Sequence, residues 1–336
     1  MLQQEPLVSV LMVTYNHQDF IAQAIQSIIS QKTTFRYELV IGEDCSTDNT
    51  RDICLKFKAK YPDKIELLLQ QENVGSKKNV VSSLAKCRGK YIAVCDGDDY
   101  WTNPLKLQKQ VNFLENNPDF TICCHRAQVR NEMKKTLTVP KAFKETEYTQ
   151  VDVANHNLVQ TITEVYRKDV LDTFPEEFYN SISSDYFVNL MLAGSGKIKY
   201  FPEAMAVYRL HGGGIWTSQS EQRALENTIS VLKSFWDLGG LNDAVKENLK
   251  RNYVRHKMRL YSLLMKENKQ ADAAECMKDV MPVDYLNIFG EEFLSLQRRY
   301  EGGKEYKIGR LLLKPYIAFR LLQSKYRYRI HKLRYT

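Results

Sequence analysis

A chain of 336 residues is too long for one small hydrophobic core, so we expect two or three structural units. The proportions of hydrophobic (43%) and charged (26%) residues are ordinary for a globular soluble protein. No apolar run approaches the roughly 18 residues that span a bilayer. The seven cysteines lack ligand-like spacing. These features predict a cytoplasmic protein with reduced thiols and exclude a transmembrane helix.

The net charge of +8 is concentrated at the C-terminus, and the rest of the chain is close to neutral. Residues 304–336 contain ten lysines and arginines against the single acid Glu305. The apolar run Leu311–Leu322 lies within this segment, which is the pattern of an amphipathic helix on an anionic membrane surface. The tail therefore predicts peripheral docking at the inner face of the plasma membrane; packing on the catalytic domain is the alternative. The neutral body argues against nucleic-acid binding.

The first 125 residues alternate predicted strands with predicted helices. Short β-branched runs predict the strands, and apolar residues at helical spacing predict the helices. This alternation indicates an α/β fold with a parallel, doubly wound sheet. The predicted strands are Val8–Val13, Glu38–Ile41, Ile65–Leu69, Tyr91–Cys95 and Phe120–Cys124. The predicted helices follow Ile21–Ile29, Ser46–Phe57, Val80–Cys87 and Leu105–Leu114.

The second part of the chain is mixed and then helical. Residues 130–150 are polar and predict a loop or flap. The remaining elements are expected as a strand near 161–166, a helix over 184–192, short strands at 198–201 and 204–208, and helices over 221–236 and 243–266. We predict these domains: a catalytic domain over 1–215 with halves 1–125 and 126–215, a helical region over 216–303, and the tail 304–336.

Polar clusters directly follow three of the predicted strands. They are Thr14-Tyr15-Asn16, Glu43-Asp44-Cys45-Ser46 and Asp96-Gly97-Asp98-Asp99. Open α/β sheets bind ligands at the carboxyl ends of their strands, so the clusters should share one crevice. Three carboxylates within four residues suit a divalent cation that also binds substrate phosphates. The structural alternative is a loop in which an aspartate caps the next helix and binds no metal.

Asn73-Val74-Gly75 and Lys78-Asn79 lie between the second and third clusters. In the order and spacing of these motifs, the chain resembles family 2 glycosyltransferases of the GT-A fold. The resemblance is strong over about 7–125 and moderate over 157–214. It implies an inverting enzyme that uses Mg²⁺ or Mn²⁺ and moves a sugar from a nucleotide diphosphate donor. Many members build bacterial surface polysaccharides, which implies a glycan or lipid-linked glycan as the acceptor.

The resemblance also implies roles for individual residues. Nucleotide binding is implied for Thr14, Tyr15, Asn16, Asp44, Lys78 and Asp96. Among these, Tyr15 would stack on the base, and Asp44 would accept a hydrogen bond from uracil, which favours UDP. Lys78 would lie near the diphosphate and Asp96 near the ribose.

The metal ligands and the base are implied in the same way. Asp98 and His211 would bind the metal, and Asp185 in Ser183-Ser184-Asp185-Tyr186 would deprotonate the acceptor. The family usually has a glutamate where this chain has Ser184. Simple helix capping by Asp185 is the alternative.

Two other classes of protein remain open from the residues alone. A sugar nucleotidyltransferase also uses aspartates at strand ends and a metal, but Val10–Asn16 contains no glycine-rich phosphate loop. A non-catalytic membrane-docking protein would need only the basic tail.

Overall fold

The computed structural model describes residues 5–143, 146–171, 173–181, 185–214 and 219–280. The predicted tail and Ser183-Ser184 lie outside these residues. The chain divides into two compact units, Met1–Tyr253 and Val254–Thr336, and every predicted site residue belongs to the first. The predicted domain boundaries at 215 and 303 stay predictions.

One twisted sheet organises the first unit. Its strands are β1 (Val8–Thr14), β2 (Tyr37–Glu43), β3 (Ile65–Leu69), β4 (Tyr91–Val94), β5 (Tyr100–Trp101), β6 (Phe120–Asn131), β7 (Thr136–Thr138), β8 (Glu147–Tyr148), β9 (Val165–Arg167) and β10 (Lys197–Leu210). Their order is β3-β2-β1-β4-β9-β6-β10-β5, with β7 paired to β6 and β8 to β10. The strands β3, β2, β1 and β4 run parallel, as do β6 and β10. The predicted α/β class is confirmed.

Helices cover this sheet. In the first unit they are α1 (Ile21–Ile29), α2 (Thr50–Lys60), α3 (Ser76–Leu84), α4 (Lys106–Asn116), α5 (Gln150–Asn155), α6 (Glu176–Asn180), α7 (Asp185–Gly194) and α8 (Glu221–Asp237). The strands β1 and β2 are almost entirely buried because helices cover the sheet, which explains their continuous apolar runs. On α1, the predicted stripe of Ile21, Ile25 and Ile28 is fully buried.

Two helices follow α8. They are α9 (Asp243–Lys266), which begins in the first unit and ends in the second, and α10 (Gln270–Cys276) in the second. Among the described residues, no helix combines the length and apolar character that crossing a membrane requires. The helices predicted over 221–236 and 243–266 correspond to α8 and α9 and have nearly the predicted bounds.

The sheet differs from the sequence-based expectation at three places. β9 lies antiparallel between β4 and β6, so the sheet is mixed. The predicted loop over 130–150 was wrong at its start, because pairing with β10 extends β6 to Asn131 and the chain then folds back as β7; residues 139–143 are without helix or strand, as predicted. The two short strands predicted over 198–208 are one strand, β10, whose register shifts around Pro202, a residue that cannot donate to the ladder.

Candidate active site

The carboxyl ends of the central strands bring the predicted clusters together. Thr14 at the end of β1 registers with Glu43 at the end of β2, and the Asp44 amide donates to the Thr14 carbonyl at 3.0 Å. The Gly97 amide donates to the Val13 carbonyl at 3.0 Å. These bonds place the loops after β1, β2 and β4 side by side, as the parallel topology requires.

Gly97 allows the aspartate turn to lie against β1. A Cβ atom at this position would come within 2.5 Å of Thr14 Oγ1 and 2.9 Å of Ile21 Cδ1. Any side chain would therefore push the turn away from the strand. The glycine between Asp96 and Asp98 thus has a steric reason to be there.

Asp98 is the centre of a carboxylate–imidazole cluster. Its Oδ2 lies 3.1 Å from His211 Nε2 and 3.8 Å from His17 Nε2. Burial opposes ionisation of Asp98, but the contact with His211 and the charge of His17 outweigh it and lower the pKa of this carboxyl. Burial lowers the pKa of His17, with Asp98 opposing. Asp98 is therefore held as a carboxylate beside two imidazole rings.

This donor set fits a divalent cation that shares its coordination with a phosphate-bearing ligand. Asp98 and His211 supply one carboxylate and one imidazole at adjoining positions. Across the residues that the structure describes, no group of three or more acidic, histidine or cysteine side chains could hold a metal by itself. A cation held by one or two side chains takes its remaining ligands from phosphate oxygens and water.

Arg209 fastens the end of β10 to the aspartate turn. Its backbone amide donates to Asp99 Oδ1 at 2.7 Å, and its Nη1 donates to the Asp98 carbonyl at 2.5 Å. Its Nε donates to Glu132 Oε1 at 3.1 Å. Asp99 is therefore an anchor for β10, which brings His211 next to Asp98. The roles of Arg209, Glu132 and His17 cannot be predicted from the sequence, because none of the three belongs to a local motif.

Asp96 and Asp185 approach each other from distant parts of the chain. Asp96 follows β4, and Asp185 is the first residue of α7. Burial, Asp98 and Asp185 together raise the pKa of Asp96 to about 8. Burial also raises the pKa of the Tyr208 phenol, with the aspartates and Asp185 adding to the shift. The structure therefore brings the predicted base into the electrostatic field of the predicted donor site.

The loop after β1 is tied to the loop after β2 through Asn16. Its side-chain oxygen accepts from the Thr47 amide at 2.9 Å, and its own amide donates to Ser46 Oγ at 3.0 Å. Its positive φ of 55° makes this turn possible. Tyr15 beside it is 41% exposed, whereas Thr14 is buried. Tyr15 thus offers an aromatic ring to solvent, and Asn16 holds the loop that carries it.

Asp44 organises the next loop. Its carboxylate oxygens accept from the backbone amides of Val74 at 2.8 Å and Gly75 at 3.0 Å. The Asn73 side chain donates to the Asp44 carbonyl at 3.2 Å. Gly75 has φ of 85°, a conformation that favours glycine. The motif Asn73-Val74-Gly75 therefore wraps around Asp44 at the edge of the crevice.

Lys77 and Lys78 at the start of α3 have different environments. Lys78 is exposed and has no hydrogen-bond or ion-pair partner among the described residues, so it is available to an anion. Lys77 Nζ donates to the carbonyls of Phe178 at 2.8 Å and Ser181. Lys77 thereby links α3 to the segment that precedes Asp185.

A buried polar layer lies beneath the crevice. Lys106 and Glu164 are buried, and neither Lys106 Nζ nor Glu164 Oε2 has a hydrogen-bond partner among the described residues. Lys106 Nζ lies 4.1 Å from the centroid of the Trp101 ring. Burial and the charge of Asp185 raise the pKa of Glu164 to about 8, while Lys106 opposes that shift.

We expect Lys106→Met to stabilise the protein more at pH 6 than at pH 10. Burial lowers the pKa of Lys106 to about 7, against about 10.4 in an unfolded chain. As the pH falls from 10 to 7, the unfolded wild type binds a proton that the folded form resists, so folding stability is lost. Methionine removes this loss and retains the apolar length of the side chain, so the gain at pH 6 should be about 2 kcal/mol.

Urea unfolding at both pH values measures this difference. Lys109→Met, an exposed position on the same helix, is the control and should show no comparable pH dependence. An equal effect of Lys106→Met at pH 6 and pH 10 would contradict the assignment.

Residues 9–174 match the family described as Glycosyl transferase family 2. This part of the chain is a family 2 glycosyltransferase domain. The S. aureus protein TarS, in a crystal structure of residues 1–349 with UDP, superposes with a TM-score of 0.62 at 20% identity, covering 84% of this chain and 82% of that one. The likeness confirms the GT-A fold.

Two similar proteins show how far the similarity extends. The Mycobacterium tuberculosis protein Rv1520 is 35% identical over 235 residues, which are 69% of this chain but only 64% of that protein, less than two thirds of its length. The Escherichia coli enzyme WfgD is 27% identical over 250 residues, covering 74% of this chain and 90% of that protein. WfgD is described as a UDP-Glc:alpha-D-GlcNAc-diphosphoundecaprenol beta-1,3-glucosyltransferase.

Proposed function

We propose that this protein is an inverting glycosyltransferase that moves a sugar from a nucleotide diphosphate donor to an acceptor hydroxyl. The observation that carries the proposal is the meeting of Asp98 and His211 at 3.1 Å at the strand ends. The same crevice edge holds Asp96 and, from α7, Asp185. A pair that can share a cation with a diphosphate, next to a second acidic group, suits displacement of a nucleoside diphosphate.

The donor proposed here is a UDP-sugar. Exposed Tyr15 can stack on a pyrimidine, as aromatic rings do on bases. Each Asp44 oxygen keeps a lone pair beyond its bond to the loop of Val74 and Gly75, so it can accept from the imide N–H of uracil. Lys78 would attract the diphosphate as a point charge, and Asp96 would bind the ribose. TarS supports this choice, since it was crystallised with UDP.

The proposed cofactor is Mg²⁺ or Mn²⁺, held by Asp98 and His211. A bound cation would neutralise the charge that develops on the departing diphosphate. The chain itself fixes the ligands in advance: Arg209 holds the aspartate turn through the Asp98 carbonyl, and the His17 ring lies 3.8 Å from the Asp98 carboxylate. These contacts reduce the reorganisation that binding would otherwise need.

Asp185 is the proposed general base. It would take the proton from the acceptor hydroxyl as the oxygen attacks the anomeric carbon on the face opposite the diphosphate. That bond forms as the bond from the sugar to the diphosphate breaks, so one displacement inverts the configuration. The position of Asp185 at the start of α7 and its electrostatic interaction with Asp96 support this assignment.

The proposed acceptor is a glycan or lipid-linked glycan of a cell-surface polysaccharide. WfgD, as its description states, acts on a sugar linked to diphosphoundecaprenol. An acceptor of this kind is anchored in a membrane, and a protein that uses it must work at the membrane surface.

Isothermal titration of the full chain with UDP, in the presence and absence of Mn²⁺, tests the donor site. We expect binding that depends on the metal and is weaker for GDP. Absence of UDP binding in both conditions would refute the proposed donor class. A following assay of released UDP across a panel of UDP-sugars would identify the sugar.

The tail is proposed to contribute to membrane attachment. Residues 304–336 carry ten basic side chains, and each such residue near an anionic surface contributes about 1 kcal/mol. We expect replacement of Arg327, Arg329, Lys332 and Arg334 by glutamine to weaken sedimentation with anionic vesicles at low salt. The effect should diminish in high salt, since the attraction is screened. Unchanged sedimentation at low salt would refute docking through the tail.

A further inference from the structure

The end of β6 and the strand β7 form a hairpin with an unusual surface, which we call the β6–β7 hairpin (residues 129–143). Its strands pair Arg130 with Leu137 and Asn131 with Thr136. Met133 is 68% exposed, Leu137 52% and Val139 51%. Among the described residues, these are three of the four most exposed large hydrophobic side chains. Single exposed apolar residues are ordinary, but three within seven positions indicate an interaction surface.

The charges of the same hairpin are positive and largely uncompensated. Lys134 and Lys141 are exposed, and neither has an ion-pair partner among the described residues. The hairpin has one acid, Glu132, and it is shared among cations. Glu132 Oε1 lies 2.9 Å from Arg130 Nε and 3.1 Å from Arg209 Nε. An apolar surface with free lysines around it is complementary to an anionic lipid surface, where long basic side chains reach the headgroups.

The base of the hairpin adjoins the candidate active site. Asn131 registers with Leu210, and the Glu132 amide donates to the Leu210 carbonyl at 2.9 Å. The next residue, directly after the end of β10, is His211, which contacts Asp98. A surface that binds the hairpin therefore lies beside the crevice edge where His211 stands.

We propose that the β6–β7 hairpin docks on an anionic phospholipid bilayer. Met133, Leu137 and Val139 enter the boundary between headgroups and acyl chains, and Lys134 and Lys141 contact lipid phosphates. This contact brings the crevice to the bilayer, where a lipid-linked acceptor presents its sugar. The role of this docking in presenting the acceptor rests on the proposed function, whereas the binding of the hairpin to the bilayer does not.

Vesicle sedimentation of the full chain tests the proposal. The vesicles contain equal amounts of phosphatidylglycerol and phosphatidylcholine. The variant Met133→Ser/Leu137→Ser/Val139→Ser should bind about tenfold more weakly than wild type. The matched control, Leu55→Ser/Leu105→Ser, removes side chains that are each 44% exposed elsewhere and should bind like wild type. The basic tail is present in all three proteins, so its contribution is common to them.

Amide hydrogen exchange locates the contact. Vesicles should slow exchange across residues 131–143 of the wild type and leave α4 unchanged. Equal vesicle binding by the triple variant and wild type, or unchanged exchange in the hairpin, would overturn the proposal. So would conversion of a dimer to a monomer by the triple variant with vesicle binding retained, since the surface would then join two copies of the chain.

Titration with UDP and Mn²⁺ separates this inference from the proposed function. The triple variant should bind UDP like wild type, because none of its three positions contacts the donor site residues. If the triple variant binds both UDP and vesicles like wild type, only the proposed docking surface is refuted. Absence of UDP binding by the wild type refutes the proposed donor and leaves the vesicle result to be judged separately.

Discussion

Replacement of Asp98 by alanine is expected to abolish metal-dependent UDP binding and sugar transfer. Asp98 supplies the only carboxylate that the described residues place within hydrogen-bonding distance of His211 Nε2. The variant would remove the carboxylate beside His211 and His17, and with it the proposed anionic ligand of the cation. We expect transfer to fall by about 10³-fold or more, the scale of losing a central electrostatic contributor. Titration calorimetry and a UDP-release assay measure the two losses.

The comparison requires a folded variant and a neutral control. Circular dichroism should show the wild-type spectrum, since Arg209 bonds the backbone carbonyl of residue 98 and not its side chain. Asp52→Ala, at an exposed position on α2, should bind UDP and transfer sugar normally. Full activity of Asp98→Ala in metal-free buffer would show that Asp98 does not bind a catalytic metal.

Replacement of Asp185 by asparagine is expected to retain donor binding and lower transfer by about 10²–10⁴-fold, the usual contribution of a positioned general base. Asparagine has nearly the same shape but cannot accept the proton of the acceptor hydroxyl. The loss should therefore appear in kcat, while UDP affinity measured by calorimetry stays close to that of wild type. The product of the wild type should have inverted anomeric configuration.

The control for this variant is Glu176→Gln, which removes an exposed carboxylate from α6 and should leave transfer unchanged. Transfer by Asp185→Asn at the wild-type rate would assign Asp185 to helix capping. A product with retained configuration would refute the single displacement, whichever residue acts as base.

Several sequence-based expectations depended only on local pattern, and these agree with the structure. The apolar spacing of Ile21, Ile25 and Ile28 predicted a buried helical face, and α1 buries all three. Short, largely apolar runs predicted β1 and β3 to within one residue. Boundaries were less accurate: α3 begins at Ser76, before the predicted Val80, because residues 76–79 are polar and add nothing to the apolar spacing from which the helix was predicted.

The expectations that failed involved pairing between distant segments. The polar sequence after residue 129 carries no strand signal of its own. It continues β6 because β10 lies beside it and satisfies its backbone hydrogen bonds. β9 is only Val165–Arg167, and its antiparallel insertion between β4 and β6 cannot be read from three residues. In both cases the strand is stabilised by pairing with segments that are distant in the sequence.

The sequence by itself determined the α/β class and the polar clusters at the strand ends, because hydrophobic period and strand-end placement are local properties. The roles of Asp98 and His211 as metal ligands came from the family resemblance and stay predictions. Tertiary structure alone decided which groups surround that aspartate. His211 contacts Asp98 across 113 positions, and Arg209 on β10 and Glu132, directly after β6, support that contact. It also decided that Lys106 and Glu164 are buried together beneath the crevice. The environment of a charged side chain is set by all the segments packed around it, and no short stretch of sequence contains that information.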